Sequence, residues 1–309
     1  MRSQVFHDFD AFAESVQDID SKMLLRQPKR RVWSTYSVDL DPISIQLGKL
    51  GSGNVAQGQL RSDGYMLYLP LTNAVEYTAN GAVLQNNSIA ILEPGCEFCV
   101  STKVEHDWCV VFVPTYLLDD GADFTFSASK LCRVTHTNRQ ATVQLRTALL
   151  QIFSAANSAH FEQSPAATCA SQEVLKVVNS IVGLKQPVEP NHEGRPKISR
   201  QEIIRSSMEL LDQQAGTPVS VLDLAAAASV SERTLRTAFN EYFGMGPVQY
   251  LQLRHFHRVH RAIKAAAPEE TSVHQILVEQ GEWAFGRFAS RYHRLFGELP
   301  SETLRKSKV

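Results

Sequence analysis

Side chains that can bind a nucleic acid recur on one face of a segment near residue 236. Four of them follow the helical spacing i, i+3, i+4 and i+7, namely Arg233, Arg236, Thr237 and Asn240. Arginine, threonine and asparagine hydrogen-bond to base edges and to phosphates. The opposite face repeats large apolar residues every four positions, at Leu235, Phe239 and Phe243. We therefore predict an amphipathic helix that packs on one side and presents hydrogen-bonding groups on the other.

A second helix and a turn are predicted directly before this segment. Ser220 and Asp223 have the spacing of a capping box, which opens an alanine-rich helix over Val221–Ala228. Ser231 is the predicted N-cap of the next helix, and Thr234 lies in its first turn. Small residues let two helices approach closely, as a helix-turn-helix motif requires. The pattern favours such a motif at about 221–243, and the alternative is a helical hairpin with a solvated polar face.

A second copy of the pattern spans about 272–296. A short helix from Ser272 is followed by a turn at Gly281–Trp283 and by a helix over Ala284–Phe296. The polar side of that helix carries Arg287, Ser290, Arg291 and Arg294. Both copies end in a glycine followed by a proline, which is typical of a helix C-terminus. The repetition favours two helix-turn-helix units over a chance hairpin.

A basic helix is predicted between the two copies, from about Val248 to Ala266. It contains Arg254 and Arg258, which we expect to neutralise DNA phosphates. At 1.5 Å per residue it spans roughly 27 Å. Helices held that far apart could enter two major-groove segments about one turn, roughly 34 Å, apart.

Residues 200–306 resemble the DNA-binding domain of the AraC/XylS family of bacterial transcription regulators. The matching segments are Leu224-Ala225, Val230–Leu235, Phe239, Gly244, Pro247–Leu251, Gly281–Phe288 and Tyr292–Leu304. The resemblance implies an N-terminal cupin-like β-barrel that senses an effector, followed by dimerisation helices. The chain departs from the family pattern at Glu282, where the resembling subgroup has an apolar aromatic residue.

The departure at Glu282 leads to an expectation about the second motif. A buried unpaired carboxylate is costly, so Glu282 should turn to solvent or bind Arg287 or Arg291. We then expect the second motif to recognise DNA sequence less specifically than the first. In it, Arg287 and Ser290 should contact phosphates. On this reasoning, Glu282→Phe should stabilise the domain and tighten DNA binding.

The N-terminal part has the composition of an all-β domain. Residues 32 to about 118 contain short Val-, Ile- and Tyr-rich runs between turn signals, which predict a β-barrel or sandwich with a hairpin at Asn80-Gly81. Two amphipathic helices are predicted in 139–185. The predicted α+β organisation is an effector-sensing and dimerisation domain at 1–185, a proline-rich linker at 186–199 and an all-α DNA-binding domain at 200–309.

Charge and composition limit the class of protein. The chain has 309 residues, of which 43% are hydrophobic and 20% charged, as in ordinary globular proteins. Residues 1–195 have a formal charge of −4 and residues 196–309 of +3, which favours an anionic partner for the second part. No run is apolar and long enough to span a membrane, and no signal peptide is visible. Five scattered cysteines and these absences predict a cytoplasmic protein.

Other candidate chemistry in the N-terminal part is weaker. Cys96 and Cys99 have a metal-like spacing without a second pair, so unligated cysteines are favoured over a zinc or redox site. His106 is interpreted as a surface histidine rather than a metal ligand. The aromatic residues are explained equally well as core or as the lining of a ligand pocket, so no ligand residue is assigned: Trp33, Tyr36, Tyr65, Tyr68, Tyr77 and Trp108.

The sequence contains no catalytic or phosphate-binding motif, so we predict a non-enzyme without a cofactor or metal. The favoured function is a sequence-specific DNA-binding regulator of transcription, predicted to be an effector-responsive activator. Its predicted partners are operator DNA, an unknown small molecule, RNA polymerase and a second copy of the chain. Two alternatives are a cupin-type enzyme with a helical oligomerisation tail and an RNA-binding regulator. The RNA-binding regulator is disfavoured because the sequence lacks the usual RNA-binding motifs.

Overall fold

The computed structural model describes residues 1–72, 75–85, 88–118, 132–136, 139–158, 160–182, 198–214 and 217–307. Its contacts divide the chain into two units. One comprises Met1–Met23 and Lys29–Pro196, and the other comprises Leu24–Pro28 and Lys197–Val309. Most of the predicted linker lies outside the described residues, so the boundaries 1–185, 186–199 and 200–309 remain a prediction.

The first unit, which we call the β unit, contains the described strands apart from the last three residues of β2, and the strands confirm the predicted α+β class. The strands are β1 (Arg2–Phe6), β2 (Ile19–Arg26), β3 (Trp33–Asp39), β4 (Ser44–Leu50), β5 (Gly53–Leu60), β6 (Gly64–Pro70), β7 (Tyr77–Ala79), β8 (Ala82–Leu84), β9 (Ser88–Leu92), β10 (Glu97–Thr102), β11 (His106–Pro114) and β12 (Cys132–His136). A short helix α1 (Phe9–Glu14) lies between the first two.

The strands form two sheets. The seven-stranded sheet has the order β1-β3-β4-β11-β6-β9-β12, and the five-stranded sheet has the order β2-β5-β10-β7-β8. Within the described residues these sheets are antiparallel and do not close into a single barrel. In the centre of the larger sheet, Val111 pairs with Ile45 on one side and with Leu67 on the other.

Strand β6 is buried on both of its faces. All seven residues of β6 are buried. Tyr65, Leu67 and Leu69 belong to the core that the larger sheet shares with the helices following it. Met66 and Tyr68 alternate with them along the strand and line a cavity toward the other sheet. Both faces of this strand are covered, which favours apolar side chains throughout.

The predicted hairpin and the two predicted helices are confirmed. Asn80 and Gly81 have positive φ angles of 45° and 83°, as a two-residue turn between β7 and β8 requires. Helices α2 (Arg139–Ala155) and α3 (Pro165–Val182) follow the strands. Their apolar stripes, which include Leu145, Leu149 and Val178, pack into the core of the larger sheet.

The second unit, which we call the helical unit, contains seven helices among its described residues, as expected of the all-α domain predicted at 200–309. They are α4 (Arg200–Gln213), α5 (Val221–Ala227), α6 (Glu232–Phe243), α7 (Pro247–Ala265), α8 (Val273–Glu279), α9 (Phe285–Phe296) and α10 (Pro300–Lys306). The segment Leu24–Pro28 also belongs to this unit. Its Arg26 guanidinium donates to the carbonyl of Phe243 at 2.7 Å, and the Leu25 N–H lies 2.8 Å from His257 Nε2.

Among the described residues, none of the helices is both long and apolar enough to cross a membrane.

Candidate nucleic-acid interface

The first candidate motif consists of α5, a turn and α6. A capping box joins Ser220 and Asp223 at the start of α5, as predicted. Ser231 is the N-cap of α6, where its hydroxyl accepts from the backbone N–H of Thr234 at 3.2 Å. Gly244 ends the helix in the left-handed conformation, with a φ of 61°. Both ends of α6 are therefore fixed by the local interactions that the sequence predicts.

The apolar side of α6 anchors the helix in the unit. Leu235, Phe239 and Phe243 are fully buried. The ring of Phe243 stacks on Tyr250 of α7, with a centroid distance of 4.5 Å and an interplanar angle of 26°. Burying aromatic rings contributes most of the stability of such contacts. This packing fixes the rotation of α6, and thus which of its side chains face solvent.

The opposite side of α6 is exposed as predicted. The exposed candidate residues are Ser231, Arg233, Arg236, Thr237 and Asn240, and Thr234 is half-buried. Thr237 donates its hydroxyl to the carbonyl of Arg233 at 3.0 Å, one turn earlier. In the described part of the chain, the side chains of Arg233 and Arg236 form no hydrogen bond or ion pair with another side chain. Both guanidinium groups are thus available to an external acceptor.

The second candidate motif repeats this geometry with α8 and α9. Ser272 and Gln275 form a capping box at the start of α8. Gly281, with a φ of 76°, lies in the turn, and Gly297 ends α9 with a φ of 84°. Positive φ angles favour glycine because it lacks a Cβ. Arg287, Ser290 and Arg291 are exposed on α9, so the structure presents a second polar helix face.

A buried polar chain holds α9 against α7 and α10. His260 stacks on Phe296 with a centroid distance of 4.1 Å, and its Nδ1 lies 2.6 Å from the Tyr292 hydroxyl. That hydroxyl is 2.8 Å from Thr303 Oγ1, which donates to Glu298 at 2.6 Å. Burial would raise the pKa of Glu298, but hydrogen bonds from Lys306 and Thr303 outweigh it and lower that pKa. The chain orients α9 through specific hydrogen bonds as well as apolar packing.

Arg254 and Arg258, predicted to contact phosphates, are half-buried and hydrogen-bonded within the helical unit. Arg254 donates to the carbonyl of Leu211 and to the Asp212 carboxylate, both at 2.8 Å. Arg258 donates to the Gln280 carbonyl at 3.4 Å, and burial lowers the pKa of its guanidinium. The spacing along α7 could not show this, because the partners lie 22 to 43 residues away in sequence.

Glu282 has a contact different from those expected. Its Oε1 accepts from the backbone N–H of Ala284 at 2.8 Å, at the start of α9, and its Oε2 lies 3.7 Å from His255 Nε2. Burial and the nearby charge of Arg258 lower the pKa of His255. The carboxylate satisfies an N–H at the positive end of a helix dipole, a favourable position for negative charge. The predicted salt bridge to Arg287 or Arg291 is not the contact found.

This geometry reverses the expected effect of Glu282→Phe. The substitution should lower the free energy of unfolding of the helical unit by about 1 kcal/mol, because the Ala284 N–H loses its acceptor. Glu282→Gln is the matched control, since it keeps an acceptor oxygen and should cost less. Urea unfolding followed by circular dichroism measures both values. A Phe variant more stable than the wild type would show that packing outweighs the helix contact.

Trp283 is a surface residue that the sequence analysis did not assign to the interface. It lies in the turn before α9, and 71% of it is exposed. Tryptophan is enriched at binding interfaces because its ring is apolar and its N–H can donate a hydrogen bond. An aromatic residue in the turn that precedes the exposed Arg287 was the signal available in the sequence. The structure thus adds Trp283 to the candidate interface.

The weaker candidates in the β unit are buried. The interpretation of His106 as a surface histidine is wrong: it is 2% exposed, and its Nδ1 lies about 3 Å from the carbonyls of Ser52 and Val104. Cys96 and Cys99 are buried, and neither forms a disulfide with another described residue. Burial raises the pKa of Cys96 to about 12 and raises that of Cys99 further, so both remain protonated thiols.

Comparison with known proteins matches the part of the chain that carries both motifs. A family model described as a helix-turn-helix domain matches residues 224–306. The XylDLEGF operon transcriptional activator 2 of Pseudomonas putida is 28% identical over 137 residues, which cover 44% of this chain and 81% of that protein. The probable thc operon regulatory protein of Rhodococcus erythropolis is 31% identical over 110 residues, which cover 36% of this chain and 33% of that protein.

Solved structures show a weaker likeness. The AraC-like transcriptional activator CuxR is 14% identical, with a TM-score of 0.45 over 90% of this chain and all of that chain. A probable AraC family transcriptional regulator from Rhodopseudomonas palustris is 26% identical, with a TM-score of 0.31 over 35% of this chain and 98% of that chain.

Proposed function

We propose that the chain is a DNA-binding transcriptional regulator of the AraC/XylS type, because residues 224–306 match a helix-turn-helix family model and a similar protein is an operon transcriptional activator. In this proposal it binds an operator through both motifs and activates transcription in response to a small molecule. The observation that carries this proposal is the pair of polar helix faces on α6 and α9, each fixed by its own buried core. Similar relatives regulate transcription and are not enzymes, which argues against the cupin-type enzyme.

We assign the proposed DNA-contact roles according to which side chains are exposed. Arg233, Arg236 and Asn240 on α6 are proposed to read base edges in the major groove. The exposed residues Arg287, Ser290 and Arg291 on α9 are proposed to contact a second groove segment and its phosphates. Ser231, Thr234 and Thr237 would contribute hydroxyl contacts near the first segment. Arg254 and Arg258 would act by fixing α7, since both are held inside the unit.

The proposed homodimer would use the β unit. Helix α2 leaves Val143 and Leu150 exposed, at 52% and 64%. These two residues are seven positions apart and therefore lie on one face of the helix. Pairing with the same face of a second copy would remove this apolar surface from water. Contact with RNA polymerase is proposed from the activator role alone.

The proposal is tested by selecting DNA sites with the full chain from random duplexes and measuring affinity by fluorescence anisotropy. We expect a selected site with two elements about one helical turn apart. Binding should be at least about 10³-fold tighter than to a scrambled duplex at the same salt concentration. Equal affinity for selected and scrambled duplexes would contradict a sequence-specific regulator.

The fragment 196–309 should form helices and bind the same site more weakly than the full chain. The fragment loses the avidity of a dimer. It also loses the hydrogen bonds that Leu25 and Arg26 make to the rest of the helical unit. Circular dichroism and anisotropy measure folding and affinity. Full-length Leu150→Asp is the control for avidity alone. A fragment that is helical but fails to bind the selected DNA would contradict the assignment of both DNA-binding motifs to this region.

A further inference from the structure

The helical unit contains a cleft between α7 and α9. Gln252, His255 and Phe256 line it from α7, and Glu282 and Arg291 are among the residues that line it from the other side. Its volume is about 190 Å³. A cavity of roughly 150 Å³ already holds benzene. The cleft therefore has room for one ring and a small substituent.

One wall of the cleft is aromatic. Phe288 of α9 is buried, and its ring stacks on Phe256 of α7, with a centroid distance of 4.8 Å and an interplanar angle of 22°. The His255 ring meets Phe288 edge to face, at 6.0 Å and 77°. Aromatic rings attract a further flat ring through stacked and edge-to-face contacts. The wall thus favours a ligand with a flat apolar group.

Two arginines of α9 give the cleft positive charge. Arg287 and Arg291 both line it, are exposed and lie one helical turn apart. Within the described residues, their side chains form no hydrogen bond or ion pair with another side chain. A phosphate has three strong acceptor oxygens and can bind two guanidinium groups, whereas one guanidinium satisfies both oxygens of a carboxylate. The pair of arginines therefore favours a phosphate.

His255 supplies a third donor to the cleft. The Arg258 guanidinium lies 3.1 Å from its Nδ1, and arginine only donates, so the proton of the neutral ring is on Nε2. Burial and, secondly, the charge of Arg258 lower the pKa of His255 and keep the ring neutral near pH 7. Its Nε2 is 3.7 Å from Glu282 Oε2, longer than an ordinary hydrogen bond. The Nε2–H can thus donate to a ligand oxygen.

Glu282 is the one acidic residue among the eight that line the cleft. Its Oε1 is already bound by the Ala284 N–H at 2.8 Å. Two arginines of the lining oppose its single negative charge. An anion in the cleft therefore gains net attraction, which the Glu282 carboxylate reduces.

We propose that this cleft binds a small phosphate monoester that carries one apolar ring. The ring lies against Phe256 and Phe288, and the phosphate accepts from Arg287, Arg291 and the Nε2–H of His255. Both arginines are assigned to DNA under the proposed function, so the ligand should compete with the second DNA segment. This competition rests on the proposed function, whereas binding of the ligand does not.

Calorimetric titration of the full chain at neutral pH and constant ionic strength tests the two parts of the ligand. Phenyl phosphate carries the ring and the phosphate, inorganic phosphate lacks the ring, and phenol lacks the phosphate. We expect saturable binding of phenyl phosphate, at least about tenfold tighter than that of either other probe. Absence of saturable binding, or equal affinity for phenyl phosphate and inorganic phosphate, would overturn the proposal.

Two variants locate the binding to the cleft. Arg291→Gln should weaken phenyl phosphate binding by at least about fivefold, because it removes a charged donor. Arg261→Gln is the matched control, since Arg261 is an exposed arginine of α7 that does not line the cleft. Glu282→Gln removes the negative charge and keeps an acceptor for the Ala284 N–H, so it should tighten binding by about three- to tenfold.

Circular dichroism checks that each variant keeps its helices. Unchanged phenyl phosphate binding in both the Arg291 and the Glu282 variants would place the site elsewhere and contradict the proposal.

Competition with DNA is measured on the selected site and on the same duplex with its second element scrambled. Saturating phenyl phosphate should weaken binding to the selected site by at least about fivefold and leave binding to the scrambled duplex unchanged. Equal weakening of both duplexes would show a general ionic effect and contradict a site beside α9.

The two proposals fail in different ways. Sequence-specific DNA binding without phenyl phosphate binding would contradict this inference alone. Phenyl phosphate binding by a chain that has equal affinity for selected and fully scrambled duplexes would contradict the proposed function and support the cleft site.

Discussion

Replacing Arg236 with alanine should weaken binding of the full chain to its selected DNA site by about 5- to 150-fold. This range corresponds to about 1–3 kcal/mol, the discrimination typical of one bidentate arginine–guanine contact. Arg236 is exposed on α6, one turn from Arg233, while Leu235 and Phe239 hold the opposite face of the helix in the core. The side chain can thus be removed without opening the core. Repeating the site selection with the variant should show relaxed preference at one base position.

Arg205→Ala is the matched control for this experiment. Arg205 is also an exposed arginine of the helical unit, but it lies on α4, where its nearest carboxylate oxygens are 3.8 and 4.0 Å away. It should leave both affinity and sequence preference unchanged. If Arg236→Ala weakens all duplexes equally and keeps the same preferred sequence, Arg236 contacts phosphate and does not read a base.

Lowering the pH from about 6.5 to 4 should destabilise the β unit through His106. Burial lowers the pKa of this histidine from 6.5 to about 4, so in this interval the unfolded chain binds a proton that the folded chain does not. The stabilising contribution is therefore complete above pH 6.5 and is lost as the pH falls toward 4. The loss amounts to about 3 kcal/mol in the free energy of unfolding. His106→Gln should remove most of this pH dependence.

Tryptophan fluorescence during urea unfolding measures this effect in the full chain. Trp33 and Trp108 of the β unit are buried, whereas Trp283 of the helical unit is exposed and should respond little to unfolding. His7→Gln is the control, because His7 is an exposed histidine of the same unit. Parallel pH profiles for the wild type and His106→Gln would show that His106 titrates normally in the folded state.

Features that depend on the local spacing of residues could be predicted from the sequence. The polar and apolar faces of α6 follow from the helical repeat, and the helix ends follow from Ser231 and Gly244. The Asn80-Gly81 hairpin follows from the conformations that these two residues adopt at low cost. Such features involve residues a few positions apart, so their energies are set within the segment. This is why both motifs and the α+β class could be predicted.

The side chains that bind distant partners could be identified only in the folded chain. Arg254 has the same charge as Arg236, yet it is bound to Asp212 in another helix. His106 looks like a surface residue beside Asp107, but it is enclosed by the carbonyls of Ser52 and Val104. The sequence likewise does not show that the buried Tyr68 lines a cavity between two sheets, where its hydroxyl has no hydrogen-bond partner among the described residues. Burial and pairing depend on which segments meet in space, and the alternation of residue types along one segment does not contain that information.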